Sequence, residues 1–239
     1  MLNEERRQHL LATISPLDES TVGLLELCTA GVELTEVSGA GIMLMTGGEP
    51  QATLCATNSL SELIEELQFT YGEGPCVDAH QQRVPIVEPD LVAPETSRWA
   101  AFSREAVVGG VRAVFGFPIH VGPVHFGALN LYRETAGPLT ETQHADAVIV
   151  ADSSARTIIA TQAEAGPGAL GAEFEVGTAL RHVVHQASGM VAVQLGVDVT
   201  DALVRMRALA FSQHRLVVDV ANDIVTRRVR LTDDDLPDS

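Results

Sequence analysis

Two pairs of short apolar runs, each closed by a tight glycine-containing turn, constrain this chain more than any other feature. Ala40 to Met45 and Ala52 to Ala56 flank Thr46-Gly47-Gly48-Glu49-Pro50, while Val111 to Val121 and His125 to Arg133 flank Gly122-Pro123. Strands joined by so few residues pair antiparallel, because a parallel pair needs a long crossover. Around them the period is helical over 2–14, 18–37, 60–69, 97–108 and 139–164, with a further strand at 84–88. In 18–37, Val22, Leu25, Cys28, Thr29 and Val32 share a face, and Gly39 lies just past the end. One antiparallel sheet flanked by helices, an α+β unit, is the economical arrangement.

The pattern changes after Ala165-Gly166-Pro167-Gly168-Ala169, a Gly/Pro-rich joint. Beyond it Leu180, Val183, Val184, Ala187 and Val191 recur at helical spacing, and Gly196 can stop that helix. Asp198 is placed to cap a second helix bearing Leu203, Met206 and Ala210, with Asp201 in its first turn. A third carries Val217, Val220, Ala221 and Ile224. Three apolar stripes can close a small core, marginal at ~55 residues and helped by docking or dimerisation. The expected organisation is an α+β domain at 1–164, a linker at 165–170, an all-α three-helix domain at 171–231 and an acidic tail at 232–239.

Charge separates the same parts. The chain nets −17, yet Phe174 to Leu231 holds seven arginines against five carboxylates, a net of +2. A local reversal of sign marks where a polyanion could dock. Every basic residue is arginine, which reads as codon bias. The N-terminus is charged and lacks a signal-peptide core, and no uncharged apolar run approaches the ~20 residues of a membrane span. A cytoplasmic protein with no membrane partner is expected. Three cysteines, odd in number and widely spaced, read as reduced thiols with no zinc-ligand set.

Specific residues carry two resemblances. Arg181-His182-Val183-Val184-His185-Gln186-Ala187-Ser188-Gly189, then Leu195-Gly196, Met206-Arg207-Ala208-Leu209, His214-Arg215 and Val220-Ala221 resemble the ANTAR family of transcription antitermination regulators. The order and spacing hold through about 55 residues. Two positions depart: the family's Ala-Lys-Gly lysine is Ser188, and its Asn-Arg asparagine is His214. Gly72-Glu73-Gly74-Pro75-Cys76-Val77-Asp78, Arg98-Trp99-Ala100-Ala101-Phe102, Phe115-Gly116-Phe117-Pro118 and Gly127-Ala128-Leu129-Asn130-Leu131-Tyr132 are similar to a GAF sensor domain of the kind fused to ANTAR modules in actinobacteria.

The resemblances imply a non-enzymatic regulator whose output binds paired hexaloop RNA stems, as a homodimer, under control of the sensor and a small-molecule effector. The implied RNA face is Arg181, His185, Ser188, Arg207, His214 and Arg215. Arg181, His185 and Ser188 fall on one polar stripe, from which Ser188 removes a cation. Loss of that lysine weakens an affinity dominated by phosphate contacts. Against this stands a solvated helical surface, with Arg227, Arg228 and Arg230 serving the third helix's C-terminal dipole. Cys76, in an exposed-looking turn, with Trp99 and Phe102, could line an effector cavity; the plainer account is packing. His120 with His125, and His182 with His185, lack a third metal ligand. Two other functions compete: a DNA-binding helix-turn-helix regulator, with Gln213-His214-Arg215 as the turn, and a GAF-type thiol methionine sulfoxide reductase, which needs Cys55 and Cys76 to converge.

Overall fold

The computed structural model describes residues 23–94, 98–165 and 172–232, and their side chains except those of 164–165 and 172–181. The helix expected at 2–14, most of the joint and the acidic tail from 233 onward lie outside the described residues.

The elements run α1 (Leu24–Thr35), β1 (Gly39–Thr46), β2 (Glu49–Ala56), α2 (Ser59–Tyr71), α3 (Pro75–Gln82), β3 (Ile86–Glu88), α4 (Ala100–Val108), β4 (Ala113–Val121), β5 (Val124–Arg133) and α5 (Glu141–Ala165). Three more helices follow: α6 (Ala172–Leu195), α7 (Val199–Ser212) and α8 (Val217–Val225). The five strands form one sheet in the order β2-β1-β5-β4-β3, every pair antiparallel. Both expected hairpins are present, with β1 and β5 joined at the centre.

Side-chain alternation splits the sheet into two cores. Ile42, Phe115, Phe117, Ile119, Leu129 and Leu131 face α1 and α5, against Leu27, Val150 and Ile158. Met43, Met45, Val114 and Ala128 face the other way, toward α2, α3 and α4. Glycine admits one close approach here: a Cβ on Gly116 would lie 2.4 Å from the carbonyl oxygen of Pro75 at the start of α3.

The stretch read as an exposed turn at Cys76 is instead the helix α3. Pro75 occupies its first turn, where its missing N–H costs nothing, and Gly74 enters at φ 137°. Packing of α1 on the sheet brings Cys28 beside Cys55 of β2, with their Cα atoms 7.3 Å apart, beyond the usual span of a disulfide. Sequence spacing carries no information about that proximity.

The two end signals read in the C-terminal helices are both present. Gly196 is left-handed at φ 66°, and the Asp198 carboxylate accepts from the Asp201 amide at 2.8 Å. They do not stand apart from the sheet. Val184, Ala187 and Val191 of α6, Ala202, Met206 and Ala210 of α7 and Val217, Val220 and Ile224 of α8 join the same cluster as Met43, Ile64 and Leu67. α6 packs on β2, and α7 and α8 pack on α2. A three-helix core too small to be robust alone gains buried apolar area from the sheet side.

Candidate functional site

The seam between the three helices and the α+β unit is where the charged residues converge. Arg207 of α7 reaches across it. Its Nη1 donates to Glu49 Oε2 at 2.7 Å and its Nε donates to the Phe69 carbonyl at 3.1 Å, with the guanidinium 5.7 Å from the Phe69 ring centre. The side chain retains only 11% exposure, while Glu49 keeps 47%. Gly72 makes room: it caps α2 at φ 65°, and a Cβ there would lie 3.1 Å from Arg207 Nη1.

Further contacts surround this one. The Val217 amide, at the start of α8, donates to Thr70 Oγ1 at 3.2 Å, satisfying one of the helix's open donors from the other side of the seam. Tyr71 and Phe211 pack edge-to-face at 6.1 Å, and Arg104 lies over the Phe211 ring. Burial, and then Glu105, push the Tyr71 phenol upward. Arg104 Nη2 lies 3.2 Å from His214 Nδ1.

These contacts relocate the residues expected on the RNA face. His185 is exposed. Ser188 is not on its stripe but 1% exposed, on the face that carries Val184, Ala187 and Val191. Spacing of i, i+3, i+4 and i+7 from Val184 puts it there, and its hydroxyl is satisfied by donating back to the Val184 carbonyl at 2.9 Å. Arg207 is engaged at the seam. Arg215 donates to Asp223 Oδ2 at 2.7 Å and holds that carboxyl below its usual range. His214 sits left-handed at φ 51° in the turn between α7 and α8. The Arg181 side chain lies outside the described residues. The five whose side chains are described therefore form no single open face in this conformation.

Cys76, Trp99 and Phe102 are brought together, but as packing. All three are buried in the core on the α2–α4 side of the sheet, with Trp99 and Phe102 edge-to-face at 6.1 Å. Glu73 Oε1 accepts from the Ala101 and Phe102 amides at 2.8 and 2.9 Å and closes the N-terminus of α4. The Arg98 guanidinium covers the Trp99 ring at 4.6 Å. Burial raises the Asp78 carboxyl nearby, opposed by Trp99 and Arg98. Cys55 and Cys76 do not converge: Cys55 lies in the core facing α1, Cys76 in the core on the other side of the sheet.

Several partners carried no signal in the sequence. Glu49 and Thr70 are ordinary polar residues until α7 and α8 are laid against them. Glu65 is buried in α2, where Asn130 Nδ2 of β5 donates to it at 2.7 Å. Tyr132 donates to Asn58, and burial raises its phenol. At the far end of β4–β5, His120 and His125 stack at 4.7 Å, and His80 of α3 comes within 6.5 Å of His125.

Among the described residues no single helix is long and apolar enough to cross a membrane. No family model matches this chain, and no curated protein does. Solved structures similar to it include the GAF domain of a phosphoenolpyruvate-protein phosphotransferase from Coxiella burnetii, at 16% identity and a TM-score of 0.49, covering 66% of this chain and 95% of that one. The GAF domain of the corresponding Acinetobacter protein gives 13%, 0.48, 69% and 97% on the same measures. A free methionine-R-sulfoxide reductase from Neisseria meningitidis gives 15%, 0.45, 68% and 92%. These are likenesses of shape, and what those proteins bind or catalyse is said of them alone.

Proposed function

We propose that this chain is a signal-responsive transcription antitermination regulator. A GAF-type sensor domain controls an ANTAR-like three-helix module that binds paired hexaloop RNA stems, with two copies of the chain supplying the two modules. The residue pattern from Arg181 to Ala221 supports the module's assignment, and the turn glycine and N-cap of that pattern coincide with helix ends. The observation that carries sensor control is the seat of Arg207 on Glu49 and the Phe69 carbonyl. It joins a cation of the output to the β1–β2 hairpin and α2 of the sensor, so a change at either element alters how the output is held.

The test is fluorescence anisotropy with the full chain and a labelled RNA carrying two hexaloop stems. Saturable binding is expected, resistant to competing duplex DNA of the same length. If about four phosphates are met, log affinity falls with log salt at a slope near −3. Equal displacement by duplex DNA would instead support a helix-turn-helix reading. Absence of binding, both in wild type and after Glu49→Ala, would sink the antitermination assignment.

A further inference from the structure

The arginines that follow α8 border a groove that the resemblance does not assign. After Val225 the chain turns through Arg227, left-handed at φ 60°, and runs through Arg228, Val229 and Arg230 to the buried Leu231. The groove, of about 730 Å³, lies between Gly189, Met190 and Val193 of α6 and Ile224, Arg227 and Arg230.

Two properties of this lining point to a ligand class. In a chain with 32 acids against 15 arginines, the groove contains two arginines and no carboxylate. Its floor is apolar and open: Val193 is 86% exposed, and nothing lies within 4 Å of where a Cβ on Gly189 would stand. The helix dipole does not account for Arg230, which lies five residues past the end of α8, because the dipole's influence fades within the last turn. Guanidinium planes bind phosphate in a fork and stack on bases, and a shallow apolar floor accepts a flat ring.

We infer that this groove is a contact for single-stranded RNA, its arginines on phosphates and its α6 floor under an unstacked loop base. The inference rests on the RNA-binding reading above and names the part of the module left open while Arg207 is held by the sensor.

The experiment uses the same full-chain anisotropy assay. Arg227→Gln with Arg230→Gln is expected to weaken RNA binding about tenfold or more and to reduce the salt slope by about 1.4, as two lost phosphate contacts require. Val193→Glu, at an exposed position that carries no fold, is expected to weaken binding comparably. Arg83→Gln, an exposed arginine of the sensor, is expected to leave it unchanged. If wild type binds RNA and the double variant binds equally, the groove assignment falls while the RNA reading stands. An equal loss on Arg83→Gln would overturn it as a bulk charge effect. An acidic peptide displacing RNA at matching affinity, with the same arginine dependence, would assign the groove to a protein partner and overturn it too. If wild type and Glu49→Ala both fail to bind RNA, the underlying reading falls and this one with it.

Discussion

Removing Arg207 tests whether the three helices are held to the sensor by a specific polar contact or by apolar burial alone. Arg207→Ala deletes two charge-assisted donations, to Glu49 at 2.7 Å and to the Phe69 carbonyl at 3.1 Å. Hydrogen bonds to charged groups contribute about 1.5–3 kcal/mol each when shielded. Glu49 is half exposed, so solvent screens its share to about 1 kcal/mol. The carbonyl bond and the buried stem bring the total loss to about 2 kcal/mol. Glu49→Ala alone is worth about 1 kcal/mol. The Val217 amide, which donates to Thr70 across the seam, reports local opening by hydrogen exchange. At 1.4 kcal/mol per tenfold, exchange there is expected to accelerate about fivefold in Glu49→Ala and about thirtyfold in Arg207→Ala. The double variant should match Arg207→Ala, giving a coupling near 1 kcal/mol. Unchanged Val217 exchange in Arg207→Ala, or a coupling within about 0.3 kcal/mol of zero, would refute the clamp.

Ser188→Lys, which introduces the lysine of the ANTAR pattern, is expected to destabilise the docked helices by about 3 kcal/mol, because position 188 is buried against apolar neighbours; urea unfolding should show it, and an unchanged midpoint would contradict the packing of α6. Gly116→Ala drives a methyl onto the Pro75 carbonyl oxygen and should cost about 2–3 kcal/mol by the same assay. Burial, followed by Arg83 and the neighbouring imidazoles, lowers His80 and His125 below the ordinary value of ~6.5. The unfolded chain then binds more protons between the lowered and ordinary values. Stability is therefore full above pH ~6.5 and falls as pH drops through that window. The melting temperature should decline on acidification from pH 7.5 to 5.5, less so in His80→Gln with His125→Asn, and a parallel decline in that variant would exclude these residues as the cause.

What the sequence revealed was local. The Thr46–Pro50 and Gly122-Pro123 turns specify hairpins within a few residues, and Gly196 and Asp198 mark helix ends by backbone and capping chemistry that needs no distant partner. Even the missed helix α3 had a usable signal, a proline directly after Gly74 at a first-turn position. The docking of the helices was not legible, because nothing near Arg207 in the chain names Glu49 or Phe69 as its partners. Ser188 was misplaced for a related reason. A serine reads as polar and outward, yet it stands four residues from Val184 and three before Val191, within the stripe that faces the sheet. The proximity of Cys28 to Cys55 likewise depends on where α1 crosses β2.

The cluster shared by sheet, α2 and the three C-terminal helices bears on how this protein can be divided. Cutting at the Gly/Pro joint would strip α6 from β2 and α7 and α8 from α2 and leave an apolar face in water on each fragment. Neither half would then behave as a well-mannered soluble piece, and fragments prepared separately would associate with themselves or with each other.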